Sequence, residues 1–423
     1  MKRLKILVIG SGGREHTLVY RFVIEGHEVF CAPGNPGTAP IATNVAIQVI
    51  DIPGLLKFAQ DNHIDLTVVG PEEPLYLGIV DIFEKHGLRI FGPRSAAAQI
   101  EKSKAFARGV MSEAMIDQPD HAVFDDYGKA LEYVRARNTA CFVKEDGPAL
   151  GKGAHRCETI EKAQEKLHEL MVQNKKRVLV EELLDGYELS AHALCHDTTS
   201  LLFPFSQDHK YSGDGDTGDM TGGMGVVVPA SRSEVITTIT REEIVQGILH
   251  ELLAQRNPYR GLLYPGLMIT KNRVKVLECN ARFGDPETQT YVRHLISPGL
   301  AEMLVATIDG GLERIVPVWE PGFSVCIVMA SGGYPGSYQK GFPITGIEHA
   351  EEVTGVKVFH AGTAIKGGRL VTNGGRVLGV TCCAETLDLA LGRAYKAVNR
   401  IQFENKHVRY DIGAKLLGKS PGT

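Results

Sequence analysis

The chain has 423 residues, a net charge of −4, 43% hydrophobic and 23% charged residues, and eight cysteines. That composition is ordinary for a globular chain of about three domains. It offers no overall basic field to recruit nucleic acid, and no apolar stretch approaches the ~18 residues of a membrane span.

The cysteines lack a CxxC pair and several lie in apolar strands (Cys141, Cys195, Cys326), as expected of reduced, buried thiols in a cytoplasmic protein. The basic start before Leu4 faintly imitates a secretion signal. Its apolar run is too short and ends in glycines, Arg14 and Glu15, so none is expected.

Over the first hundred residues, the apolar runs LKILVIG, HEVFCA, DLTVVG and RIFG alternate with helical patterns such as Leu18, Val19, Phe22 and Val23. This alternation predicts a parallel sheet covered by helices. Gly10-Ser11-Gly12-Gly13-Arg14-Glu15-His16 follows the first strand and opens a helix, where glycines let a phosphate approach backbone N–H groups. A NAD site would want an acid at the end of the second strand. Cys31, Ala32 and Pro33 stand there, so the expected ligand is a phosphate other than that of NAD, with a purely structural turn as the alternative. The loops 33–38 and 70–75 also follow strands, where such sheets collect ligands. SAAAQIEKSKAFARGVMSEAM predicts one helix leading into the next domain.

Residues 119–185 read as a small unit with the helix GKALEYVRARN, the strand ACFVKE, the loop DGPALGKGA, a second helix and the strand RVLVEELL. The loop resembles a phosphate loop but is not GxxxxGK[ST], because glycine follows Lys152. Lys144, inside an apolar strand, calls for an anionic partner or a solvated end. Glu145 should point to the opposite face. The acidic segment 180–188 could pair its backbone with an adenine edge and use Glu188 for ribose hydroxyls; alone it reads equally as a solvated turn. SQDHK, GDGDTG and TGGMG suggest a loop around a polar ligand, or an exposed loop.

A helix near 233–254 precedes a hairpin, GLLYPGLMI and RVKVLECN. Strict alternation would place Val274, Val276, Glu278 and Asn280 on one face, an apolar row ending in a carboxylate and an amide. Arg282, Asp285 and Glu287 follow. From residue 320 the strands FSVCIVMA, KVFHAGT and RVLGVTCCA and a helix near 386–401 predict a last α+β domain.

The order of these pieces resembles the ATP-grasp carboxylate–amine ligases. Within them, GSGGREH, APGNPGT, GPEEPL, SQDHK, TGGMG, NARFGDPETQ, MASGGYPG, VFHAGT and TNGGRVL resemble the glycinamide ribonucleotide synthetase family over nearly the whole chain. The resemblance implies a multidomain α/β and α+β fold. An N-terminal parallel α/β domain (1–102) would precede an ATP-grasp core (103–118 and 186–316) carrying a lid subdomain (119–185), and a C-terminal α+β domain (317–423) would follow. It implies ATP-dependent ligation of glycine to 5-phosphoribosylamine through glycyl phosphate, giving glycinamide ribonucleotide, ADP and phosphate in purine biosynthesis.

In that reading Glu278 and Asn280 hold Mg²⁺ (or Mn²⁺), a hard cation that wants oxygen ligands. Arg282, Asp285 and Lys210 carry catalysis, with the Arg282 fork facing the acyl phosphate. ATP falls to Lys104, Lys144, Gly151, Lys152, Gly153, Glu181, Glu182, Leu184 and Glu188. The other substrates fall to Gly12, Gly13, Asp208, Thr221, Gly222 and Gly223. The implied partners are glycine, 5-phosphoribosylamine and ATP, without nucleic acid or membrane, for a cytoplasmic monomer or weak dimer.

The chain departs from the family pattern at Glu145, Pro148, Leu150 and Ala154, in a shortened segment before Glu181, at Asp219-Met220 and at Ala281. Pro148 would stiffen the loop and remove one N–H. These departures leave room for a paralogue ligating another small amino acid. A non-catalytic phosphosugar- or nucleotide-binding regulator is the reading from another class, which the intact Glu278, Asn280 and Arg282 set disfavours.

Overall fold

The computed structural model describes residues 2–147 and 153–418. Five parallel strands form the first sheet, in the order Thr43–Asn44, Glu28–Pro33, Lys5–Gly10, Leu66–Val69, Ile90–Phe91. Helices cover both faces, as a parallel sheet requires. The central strand therefore buries Ile6 and Val8 in one apolar cluster and Leu7 and Ile9 in another. The first of these clusters also contains Leu262, Tyr264, Phe283 and Leu300, so this sheet shares a core with the middle of the chain.

The single helix expected next is two helices, Gln99–Lys102 and Lys104–Glu113. Ser103 separates them with extended backbone, and its Oγ accepts from Phe106 N at 3.1 Å. Serine is a strong N-cap former, and that local bond outcompetes helix continuation.

Residues 121–182 make a four-stranded antiparallel sheet, in the order His121–Phe124, Val178–Glu182, Cys141–Glu145, Ala154–Cys157. The helices Tyr127–Arg137 and Ile160–Leu167 pack on it around Val134, Val143, Leu167 and Val178, a cluster of its own.

The central sheet is built on the long strand Arg260–Ile269. Val274–Asn280 pairs with one edge, and Tyr187–Ser190 and Ala193–His196 follow each other along the other. The expected alternation along Val274–Asn280 fails at one point. Gly266 pairs with Glu278 but Leu267 pairs with Val276, which leaves Leu277 as the extra residue of a bulge. A one-residue slip exchanges the two faces. Val274 and Val276 therefore share the apolar core with Cys279 and Ala281, whereas Glu278 and Asn280 reach a cleft.

The last sheet is antiparallel, in the order Gln207–Asp208, Gly225–Val228, Phe323–Ser331, Arg376–Ala384, Val356–His360. Its first two strands precede residue 316, so this sheet crosses the boundary expected there. Helix Leu387–Arg400 covers it with Ala390, Ala394 and Ala397. No helix among the described residues is long and apolar enough to cross a membrane.

Candidate active site

A cavity of about 430 Å³ opens where the three sheets and the small unit meet. The bulge at Leu277 brings Glu278 and Asn280 to its wall. Lys210 Nζ donates to Glu278 Oε1 at 3.1 Å and lies 3.6 Å from Glu188 Oε2. That ammonium, against the opposing effect of burial, holds the Glu278 carboxyl at about 2. Burial works against the charge on Lys210, yet Glu278 and Glu188 raise its pKa well above the ordinary value. Asn280 Nδ2 donates to Tyr264 O at 3.4 Å, and Asn280 Oδ1 accepts from Arg282 Nη2 at 3.3 Å.

A carboxylate and an amide oxygen two residues apart are the hard donors that Mg²⁺ takes. No cluster of three or more His, Cys, Asp or Glu among the described residues could hold a metal by itself. The pair thus suits a cation that keeps waters and borrows ligand phosphates.

Arg282 lies between Glu101 Oε1 at 3.1 Å and Glu72 Oε2 at 3.5 Å. Glu101 also accepts from Ala281 N at 2.7 Å, which fixes the backbone beside the arginine. Burial pushes the Glu101 carboxyl up, with Arg282 pulling the other way. For Glu72, Arg282 and Arg14 overcome the effect of burial and lower it.

Asp285 accepts from Gln289 Nε2 at 2.7 Å and lies 3.5 Å from Arg376 Nη2. Burial opposes its charge, but Arg376 and Arg14 keep its carboxyl below the ordinary value. Asp208, by contrast, is pushed well up by burial and by Glu287. Gly223 has φ +109°, and a Cβ there would stand 2.6 Å from Asp208 Oδ1, so only glycine fits. Thr221 Oγ1 donates to Lys210 O at 2.9 Å and accepts from Gly223 N at 3.0 Å. Gly222 donates to Tyr334 Oη at 3.1 Å and accepts from Arg376.

On the side of the small unit, Lys104 Nζ donates to Glu145 O at 2.9 Å and Gly147 O at 3.1 Å. Lys144 meets its anionic partner, Glu181 Oε2, at 2.7 Å, and Arg108 lies 2.9 Å from Glu181 Oε1. Against burial, these two cations hold Glu181 at about 2. Glu181 lines the cavity, but both of its oxygens are engaged. Glu182 is taken by Lys275 at 2.5 Å and by Asp120 N at 3.0 Å, and Leu184 follows the strand half-buried; neither lines the cavity. Glu145 turns to Lys176 at 2.7 Å, on the face opposite Lys144. Gly153 lines the cavity, whereas Pro148, Leu150, Gly151 and Lys152 lie outside the described residues.

Gly12 and Gly13 are not part of the cavity wall. Gly12 N donates to Glu15 Oε2 at 2.6 Å, and a Cβ on Gly13 would stand 2.6 Å from Gln289 Nε2. The smallness of Gly13 thus serves the docking of helix Gly13–Ile24 against helix Glu287–His294, whereas that of Gly12 makes room for Glu15 of its own helix. The cavity residues without an expected role include Arg14, Glu72, Glu101, Tyr334 and Arg376. Four of these five lie inside motifs, GSGGREH, GPEEPL, MASGGYPG and TNGGRVL, which was a usable signal. Glu101 lies in none, and only the packing reveals it.

Family models match three successive parts of the chain. They are the phosphoribosylglycinamide synthetase N domain over residues 4–101, its ATP-grasp (A) domain over 102–288 and its C domain over 324–415. A phosphoribosylamine–glycine ligase of Vibrio vulnificus is 43% identical over 430 residues, covering 98% of this chain and 99% of the relative. The crystal structure of the phosphoribosylamine–glycine ligase of Thermotoga maritima superposes with a TM-score of 0.85 at 32% identity, covering 96% of this chain and 100% of that one. The biotin carboxylase domain of a 2-oxoglutarate carboxylase from Hydrogenobacter thermophilus gives a TM-score of 0.71 at 12% identity, over 96% of this chain and 92% of that one, a likeness of fold alone.

Proposed function

The chain belongs to the phosphoribosylglycinamide synthetase family and is an ADP-forming ligase that joins glycine to 5-phosphoribosylamine, and on that premise we propose how its cleft does so. The observation that carries the proposal is the strand end, where Glu278, Asn280 and Arg282 face one cavity with Lys210 and Lys104.

Glu278 and Asn280 would hold Mg²⁺ (or Mn²⁺), which when bound supplies charge neutralisation for the ATP phosphates. Lys104, on the cavity wall, and Lys144, on the strand that precedes the Gly loop in sequence, would serve the phosphate tail, with Gly151, Lys152 and Gly153 assigned to it from the motif. The backbone after Glu181 and Glu182, at Leu184, lies just outside the cavity wall and would read the adenine edge, with Glu188 taking ribose hydroxyls. Arg282 is held by Glu72 and Glu101 and offers its remaining N–H groups to the acyl phosphate. Its Nε faces Glu72 and its Nη2 meets Glu101 and Asn280, which leaves Nη1, donating to Phe283 O at 3.3 Å, with an N–H to spare. Asp285, Asp208, Thr221 and Gly222 line the amine-substrate side, with Gly223 shaping the turn; Gly12 and Gly13 lie outside the cavity wall and would act on the substrate phosphate only through the helix start they form. Lys210 neutralises anionic oxygen between the two sides.

The glycine carboxylate attacks the γ-phosphorus of ATP, releasing ADP; the amine of phosphoribosylamine then attacks the acyl carbon and expels phosphate. Little covalent work falls to side chains, so positioning and charge supply most of the rate. We place the reaction in the cytoplasm, in a monomer or weak dimer; eight free cysteines, all buried or half-buried, suit a reducing compartment.

The test is ADP release with phosphoribosylamine generated in place, comparing glycine, alanine and serine. Glycine should dominate. Faster release with alanine or serine would point to a different amino-acid substrate, and no release with any of them would leave only a binder.

A further inference from the structure

Lys210 occupies the position that a metal ligand's counter-ion would fill. Its backbone is pinned by Thr221, whose N and Oγ1 both donate to Lys210 O, at 2.7 and 2.9 Å. Its ammonium stands 3.1 Å from Glu278 Oε1 and 3.6 Å from Glu188 Oε2. The lysine side chain is 18% exposed and those of Glu278 and Glu188 are 40% and 38% exposed, so a small cation can reach the carboxylates while the ammonium is largely enclosed.

A divalent cation at Glu278 would compete for the same carboxylate with a cation already in place. We infer that Lys210 is a built-in counter-cation, which holds Glu278 and Glu188 in the free enzyme and keeps a bare divalent cation off Glu278 until nucleotide phosphates arrive. Those phosphates change the balance twice. They bring further oxygens to the metal, and they offer the displaced ammonium a new anionic partner. The metal thus enters with ATP and not ahead of it. This inference rests on the reading of Glu278 as a metal ligand.

The test uses the full chain without nucleotide, titrated with Mn²⁺ while the spin resonance of free Mn²⁺ is followed. The unaltered protein should bind weakly. Lys210→Met, which removes the ammonium and keeps most of the side-chain volume, should bind Mn²⁺ about tenfold tighter, which corresponds to roughly 1.4 kcal/mol. Lys210→Gln should also bind tighter, and Lys210→Arg should stay weak. Circular dichroism identifies which variants are folded. A folded uncharged variant that binds Mn²⁺ no tighter than the unaltered chain overturns the role. The ADP-release assay on the unaltered chain tests the ligase reading separately, so a working ligase with that Mn²⁺ result would lose only the counter-cation.

Discussion

At the scale of single residues, Glu278 is the position on which the site turns. Glu278→Gln keeps the shape of the strand end but removes the anionic oxygen, so kcat should fall on the order of 10²-fold or more. The melting temperature should move little, because Lys210 keeps Glu188. Unchanged turnover at saturating Mg²⁺ would sink the assignment.

Histidines set the acid limit of the fold. Burial depresses His192 to about 3 and His209 to about 4. His209 donates from Nδ1 to Gly225 O at 3.0 Å and accepts at Nε2 from Gly413 N at 3.1 Å, a geometry that needs the neutral ring. The sign follows from linkage. Below about 6.5 the unfolded chain takes up protons that the folded one refuses, so stability falls with pH until the folded values are reached. Each ring should contribute up to about 1.4 kcal/mol per pH unit in that window. Denaturant midpoints should therefore decline steadily from pH 6.5 to 4, and a flat profile would show that these rings charge in place.

At the scale of elements, the Ser103 cap links a helix start to the nucleotide side. Ser103 Oγ accepts from Phe106 N and donates to Asp146 Oδ1 at 3.1 Å, while the next residue, Lys104, holds the backbone of Glu145 and Gly147. Ser103→Ala should cost about 1 kcal/mol in chemical denaturation and raise KM for ATP more than KM for glycine. Equal changes in both constants would argue for a general loosening. Most of the elements were legible beforehand, because apolar period and Gly turns are local signals. The break at Ser103 was not, since EKSKAF satisfies helical periodicity, and the deciding partner, Asp146, is remote.

At the scale of the whole molecule, the first sheet and the central sheet share one apolar cluster, whereas the four-stranded unit has its own. Glu25 strengthens the first union by accepting from Leu300 N at 2.6 Å and Ala301 N at 3.1 Å, capping a helix that has no side-chain cap of its own. Glu25→Ala should lower stability by about 1–2 kcal/mol, and the first and central sheets should still melt together in calorimetry. The four-stranded unit should open separately, so amides of Val178–Glu182 should exchange faster than those of Lys5–Gly10, and ATP with Mg²⁺ should slow them. Equal protection without ligand would contradict a separately opening unit.

Residue type and order by themselves determined the run of sheets, the Gly-rich loops, and which side chains stand at the strand end, because period, turns and motif spacing are written along a few neighbouring positions. They also pointed away from NAD, since Cys31, Ala32 and Pro33 offer no ribose carboxylate. Only the tertiary structure decided that a bulge at Leu277 turns Glu278 and Asn280 into the cleft while Val274 and Val276 stay in the core. It alone decided that Arg282 is gripped by Glu72 and Glu101, and that Lys144 is matched to Glu181. Strand register and ion-pair choice are settled by packing between segments far apart in the chain, where desolvated charges must find partners, and no local pattern encodes which partner is within reach.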